Sequence, residues 1–285
     1  MTEPSYVDAH AHVSARADTE FLRSDTFPKA PSFTAPVEHF SQLMDSAGVG
    51  QAVLIQPSLY GFDHSYLLSC LRQYPSRFAG IALANPRDPA YVDELTELVR
   101  EAPVRGIRLA PLVAPDLGWF DSSTEPLCVA AASLQLSMNL LITPASLPAA
   151  DTWIGNHPEL TVVIDHVGRP DLDGASPGVL PDGLLKLSRF ENVYVKLSAL
   201  PEMSTRPFPH DDVWPWVRAV VAEFGADRLL WGSDFPFTED IDGYTESRTV
   251  LDHCVELSAQ DRARVLSGTA RELYRLPGLT EGTST

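Results

Sequence analysis

Near the start of the chain, Asp8-Ala9-His10-Ala11-His12 sets two imidazoles two positions apart. Alternate residues of a strand share one face, so on a strand His10 and His12 point the same way. Two imidazoles inside the mouth of a barrel are costly to desolvate unless they bind or polarise something. Two further groups fall where strand-like runs end. His166 follows Val163-Ile164-Asp165, with Gly168 permitting a sharp turn, and Asp234 follows the apolar run through Trp231-Gly232. Pro236 cannot donate to a β ladder and stops that last strand. Taken singly, Asp234 reads either as a turn cap or as a proton acceptor. Together, His10, His12, His166 and Asp234 can bind one divalent metal, or polarise a carbonyl and activate water without one.

Such a set acts only if the fold gathers it on one rim. Eight short apolar or β-branched runs recur along the chain: Tyr6 to Val13, Gln51 to Gln56, Phe78 to Ala84, Val104 to Ala110, Met138 to Thr143, Leu160 to Asp165, Asn192 to Ser198 and Arg228 to Gly232. Helix-length segments separate them, and strands alternating with helices pair in parallel through crossovers. The pattern predicts an α/β protein with one (β/α)8 barrel of the TIM type, residues 1–285 forming a single domain. An open doubly wound sheet is the rival, but its Gly-rich dinucleotide turn is missing. In a parallel barrel, chemistry gathers at the carboxyl ends of the strands.

The connecting segments carry helix starts. Thr34-Ala35-Pro36 opens one that stops at Gly48, Asp63 opens another, and Asp88-Pro89 a third. Asp121 through Leu136, Asp211 through Phe224 and Tyr244 through Leu257 read as helices, and Ser258 to Asp261 resembles a capping box. Ser14 to Phe33 is long for a connection in a compact domain and carries Arg16, Arg23 and Lys29; loops of this length are commonly lids or binding loops. Arg108 lies within the apolar run Gly106-Ile107-Arg108-Leu109, where a guanidinium needs an anionic partner. That partner is either a substrate carboxylate or a barrel acid such as Asp165 or Asp8. Lys196, inside Val193 to Ser198, reads equally as a structural or a site residue.

The chain has 285 residues, 44% of them hydrophobic, and a formal net charge of −17. That balance disfavours nucleic acid and anionic membranes as partners. A small anionic substrate remains compatible, because a few pocket arginines can dominate locally. Cys70, Cys128 and Cys254 are widely spaced and odd in number, which fits a reducing, cytoplasmic setting and no zinc-finger spacing. No signal peptide or membrane-spanning run is expected, and residues 1–5 and 278–285 are expected to fray.

In order and spacing these motifs resemble the amidohydrolase superfamily, specifically the amidohydrolase-2 family and its lactonase branch. The markers run from Val7 to about Leu276: Val7 to His12, Val53 to Gly61, Gly106 to Arg108, Asp165 to Arg169, Val193 to Ser198 and Trp231 to Asp234. The resemblance implies a distorted (β/α)8 barrel with hydrolytic or decarboxylating chemistry at its C-terminal rim. It puts catalytic roles on His10, His12, His166 and Asp234, and substrate contacts on Arg108, Gln56, Tyr60 and Arg169. It also implies a metal site of His10, His12 and Asp234 if an ion is bound. One departure bears on that ion: Leu140-Leu141-Ile142-Thr143-Pro144 ends the fifth strand without the metal-binding histidine of metal-dependent members, and the fourth strand has no lysine for a carbamate bridge.

The expected function is therefore hydrolysis of a lactone or similar cyclic ester of a small, carboxylated substrate without a cofactor, Asp234 acting as base and the histidines polarising the carbonyl. The alternatives are a zinc- or manganese-dependent decarboxylase of an aromatic or enol acid, and a barrel that only binds a small molecule.

Overall fold

The computed structural model describes residues 6–16, 20–115, 119–173, 180–254 and 257–278. Eight strands run in sequential order with every pair parallel: β1 Tyr6–Ala11, β2 Val49–Ile55, β3 Phe78–Leu83, β4 Val104–Leu109, β5 Ser137–Leu140, β6 Thr161–Ile164, β7 Val193–Ser198 and β8 Leu229–Gly232. Each coincides with one of the eight apolar runs, mostly one to three residues shorter. β3 (FAGIAL) is buried throughout, as expected of strands covered on both faces. The barrel closes just beyond β8: Asp234 N–H donates to His10 O at 2.9 Å, and His12 N–H to Phe235 O at 2.7 Å. Closure therefore uses the very backbone that carries the site.

Among the described residues, eleven α-helical segments cover the outside or fill the ends: α1 Val37–Ser46, α2 Ser65–Gln73, α3 Tyr91–Glu101, α4 Glu125–Leu134, α5 Leu147–Asn156, α6 Asp182–Lys186, α7 Leu200–Met203, α8 Trp214–Phe224, α9 Tyr244–Thr249, α10 Ala259–Ala263 and α11 Thr269–Leu273. The helix read over Asp121 to Leu136 is divided. The Asp121 side chain accepts from Ser123 N–H at 2.8 Å and caps a 3-10 turn, and α4 stops where Gln135 turns left-handed at φ 54°. The reading over Tyr244 to Leu257 was too long: α9 ends at Thr249 and a 3-10 turn, Val250–Asp252, follows. Ser258 does cap, accepting from Asp261 N–H at 3.1 Å.

The main core lies between the strands and the helical shell, with Phe40, Leu71, Tyr91, Trp216 and Phe224 among its buried members. A smaller cluster inside the barrel joins Val7, Ala9, Ile81, Val163 and Leu230 to Ala270 and Tyr274. Tyr274 donates its hydroxyl to Asn139 Oδ1 at 3.1 Å, so α11 and the residue after it plug the end opposite the site. The three cysteines are buried and none is in a disulfide among the described residues. Among the described residues no helix is long and apolar enough to cross a membrane. The expectation of frayed termini falls, apart from Gly278, outside the described residues.

Candidate active site

The histidine pair is aimed inward by an irregularity in β1. From Asp8 to Ala11 the strand takes three steps while its partner takes two, from Ala52 to Leu54. A bulge of this kind re-aims side chains. Val7 and Ala9 pack inside the barrel below it, and His10 and His12 occupy the interior above it. Asp8 secures the bend from outside: its Oδ1 accepts from His10 and Ser233 N–H at 3.0 and 2.9 Å, and its Oδ2 from Ser233 and Tyr244 hydroxyls at 2.6 and 3.0 Å. Gly232 on the neighbouring strand leaves the room His10 needs, since a Cβ there would lie 2.6 Å from His10 Cβ.

The imidazoles converge on Asp234. His10 Nε2 and His12 Nε2 are 3.3 Å apart, each lies 3.4 Å from Asp234 Oδ1, and His166 Nε2 lies 3.8 Å from Asp234 Oδ2. Asp234 has φ 61°, and His166 and Val167 have φ 52° and 46°. L-residues rarely hold such left-handed angles except where function or packing demands it. The sequence had offered only Gly168, φ +74°, for that turn. Burial keeps all three imidazoles neutral. It lowers His12 to about 3, with the Arg108 charge assisting, and holds His10 and His166 well below their usual value. Burial also pushes Asp234 up to about 6.

Hydrogen bonds assign the tautomers. His12 Nδ1 lies 2.9 Å from Ile55 O, a pure acceptor, so Nδ1 carries the proton and Nε2 presents a lone pair. Lys196 Nζ lies 3.2 Å from His10 Nδ1; with the ammonium donating, the His10 proton sits on Nε2 and faces the cluster. The other His10 tautomer turns Nδ1–H toward Asp165 Oδ1 at 3.4 Å and frees Nε2 as a ligand. His166 Nδ1 pairs with the Ser198 hydroxyl at 2.9 Å; with that hydroxyl donating, the His166 proton sits on Nε2.

Beneath the histidines, Asp165 gathers the buried cations. Arg108 Nε donates to Oδ2 at 2.8 Å, and Lys196 Nζ lies 3.1 Å from Oδ1. Burial alone would raise this carboxyl, but the Lys196 and Arg108 charges overcome it and hold Asp165 well below the ordinary range. Lys196 is itself lowered by burial, with Asp165 opposing. Arg108 therefore pairs with the barrel acid Asp165 and also lines the cavity above.

That cavity measures about 710 Å³, ordinary for a small-molecule site. His12, His166, Asp234, Arg108 and Arg169 line it. Arg169 is held by Glu202 at 3.2 Å and Asp171 at 3.4 Å. Gln56 and Tyr60 do not line it. The Gln56 amide donates to the carbonyls of Gly61 and Asp63, and the Tyr60 hydroxyl accepts from Ala15 N–H at 2.7 Å, so both fasten the loop that builds the wall. Of the loop's cations only Lys29 reaches the cavity; Arg23 donates to Phe33 O. Glu202 is a site member the motifs missed. It lies just past β7, where barrel chemistry is expected, and burial together with the neighbouring Asp234 charge pushes it up to about 8.

The donor set also fits a metal. His10 Nε2, His12 Nε2 and Asp234 Oδ1 lie within 4.8 Å of one another, and Asp234 Oδ1 is buried without a hydrogen-bond partner. Two imidazole nitrogens and a carboxylate suit zinc or manganese.

An eight-stranded parallel barrel with an inward histidine pair on β1, a histidine after β6 and an aspartate after β8 defines an enzyme-like barrel with its site on the C-terminal rim. The family model described as amidohydrolase matches residues 7–276, and the chain belongs to that family. It is 29% identical over 280 residues to an L-fucono-1,5-lactonase of Burkholderia ambifaria, covering 95% of each chain. A 4-sulfomuconolactone hydrolase of Rhizobium radiobacter is 29% identical over 249 residues, 86% of this chain and 79% of that one. A crystal structure described as a 2-pyrone-4,6-dicarboxylic acid hydrolase from Pseudomonas putida superposes with a TM-score of 0.79 at 29% identity, covering 98% of this chain and 99% of that one.

Proposed function

We propose that this protein hydrolyses a lactone, opening a cyclic ester to a hydroxy acid. The observation that carries the reading is the convergence of three neutral imidazoles on a desolvated Asp234 whose Oδ1 has no hydrogen-bond partner, at the floor of the cavity. The named relatives, hydrolases of three different lactones, support the same reaction class.

Asp234 takes a proton from water as the water oxygen attacks the ester carbonyl. The lone pair on His12 Nε2 accepts a hydrogen bond from that water and orients it. Charge developing on the carbonyl oxygen meets His166 Nε2–H and the Arg108 guanidinium, donors fixed in place by Ser198 and Asp165. Collapse breaks the ring carbon–oxygen bond, and Asp234 returns its proton to the departing ring oxygen. Lys196 and Asp165 hold His10, which packs against His166 at 4.4 Å between ring centroids and keeps the cluster dry. An ion held by His10, His12 and Asp234 would supply Lewis-acid polarisation and a more acidic water. Turnover, in our reading, rests on the protein groups without an obligatory ion. The support is a fifth strand ending in Leu140 to Pro144 without an imidazole, and a Lys196 contact that favours a proton on the His10 nitrogen a metal would need.

The test is ring opening of a lactone panel by protein whose metal content has been counted before and after chelation. Activity retained at well under one ion per chain supports the reading. Near-stoichiometric zinc or manganese, with activity lost on removal and restored on return, overturns the metal-free part and favours the metal-dependent decarboxylase.

A further inference from the structure

We infer that the substrate is a lactone bearing a large apolar group, aryl or branched alkyl, and at most one carboxylate. This rests on the lactonase reading and goes beyond it to the substrate class. The cavity walls above the catalytic floor are largely hydrocarbon. Phe27 and Phe62 meet edge to face at 5.4 Å between centroids, Phe33 and Phe237 at 5.2 Å, and Leu112 and Val113 close the far side. Leu112 is 39% exposed, one of few large apolar side chains so placed among the described residues, and it lines this cavity. An apolar face left open in a site matches an apolar face on the ligand.

The free polar atoms of the cavity lie around the catalytic floor, where Arg169 Nε, Glu202 Oε1 and Asp234 Oδ1 have no hydrogen-bond partner, and most of its cations are already paired. Arg108 is balanced by Asp165, and Arg169 by Glu202 and Asp171. Of the cations lining the cavity, Lys29 alone has no ion pair among the described residues, and it stands exposed in the loop before α1. The Asp234 carboxylate on the floor repels further negative charge. One carboxylate can reach Lys29 or share Arg108; a second would have no cation of its own. A polyhydroxylated ring fares worse, because Thr26 and Ser58 are the only wall hydroxyls among the described lining residues. Sugar hydroxyls laid against phenyl rings lose water without gaining partners.

The experiment compares kcat/KM for dihydrocoumarin, glucono-1,5-lactone and 2-pyrone-4,6-dicarboxylate under identical conditions. Burying one aryl ring predicts an advantage of about 100-fold for dihydrocoumarin over either of the others. Phe27→Ser combined with Phe62→Ser should shrink that ratio about tenfold. A preference for the sugar lactone or the dicarboxylate overturns the inference and leaves the lactonase reading intact. If none of the three rings opens, the lactonase reading fails on this panel, and calorimetric binding of 3-(2-hydroxyphenyl)propanoate still decides the wall's preference. It must bind at least about tenfold tighter than gluconate; equal or weaker binding overturns the inference.

Discussion

Replacing Gly232 with alanine tests whether barrel closure and catalysis share one piece of backbone. The new Cβ would lie 2.6 Å from His10 Cβ and 2.9 Å from His10 N. Carbon atoms in contact sit about 3.5–4.0 Å apart, so roughly 1 Å must be found between β1 and β8. No flexible side chain can yield it, because the obstacle is the backbone and first carbon of His10. The strands must part, stretching the Asp234 N–H to His10 O and His12 N–H to Phe235 O bonds that close the barrel. Overpacking of this kind costs about 1–3 kcal/mol. For a chain of this size that lowers Tm by about 2–12 °C. Displacing His10 from Asp234 by about 1 Å should reduce kcat/KM about 100-fold. Thermal unfolding and steady-state lactone hydrolysis read the two effects. Gly155→Ala is the contrast: on α5 its Cβ would meet Phe190 at an ordinary 3.5 Å. Alanine there should raise Tm by a few degrees through about 0.5–1 kcal/mol of helix propensity, with kcat unchanged. A Gly232→Ala protein with full activity and an unaltered Tm would refute the reasoning.

Three further outcomes follow from the same geometry. Asp234 must be ionised to act as base and burial raises it to about 6, so kcat should rise with pH through a midpoint near 6; Glu202→Ala removes a donor that favours the ionised form and should move that limb to higher pH. A pH–rate profile that is flat from 5 to 7 would contradict the assignment. Arg108→Ala should raise KM sharply and lower kcat by removing a donor to the developing oxyanion, while Asp165 keeps Lys196, so the loss of the charged hydrogen bond costs about 1.5–3 kcal/mol of stability; a variant with normal binding and turnover would show that Arg108 serves only the ion pair. His64 accepts a hydrogen bond from Leu83 N–H at 3.1 Å, and burial lowers it to about 4. The unfolded chain therefore binds the proton first as pH falls below 6.5, and this one residue should remove about 2 kcal/mol of stability by pH 5. Urea unfolding at pH 7 and pH 5 should show His64→Gln losing less than the parent over that interval.

The strands were legible because parallel barrel strands are buried on both faces and read as continuous apolar runs. The His10, His12 and Asp234 cluster was legible for a related reason: strand periodicity and strand ends fix where side chains go. The left-handed turn through His166 and Val167 was not, because nothing in ordinary L-residues announces such angles. Glu202 escaped notice because its importance comes from contact with Asp234 and Arg169, residues 32 and 33 positions away in the chain. Gln56 and Tyr60 were placed on the substrate by resemblance, yet their polar atoms meet the backbone of the loops around the cavity. The phenylalanine wall is assembled from separate loops, and no local pattern joins Phe27 to Phe62 or Phe33 to Phe237.

The most direct measurement is single-turnover ring opening of a lactone by the parent protein and by Asp234→Asn, with affinity for the substrate determined in the same samples. Asp234 is the one group that the imidazoles surround and whose Oδ1 has no other partner. The asparagine variant keeps the shape of the side chain and loses its basicity. It should bind the lactone with little change and open it at least about 1,000-fold more slowly, the scale expected when a positioned general base is lost. Ring opening by Asp234→Asn at the parent rate would contradict the central claim that Asp234 is the base for lactone hydrolysis.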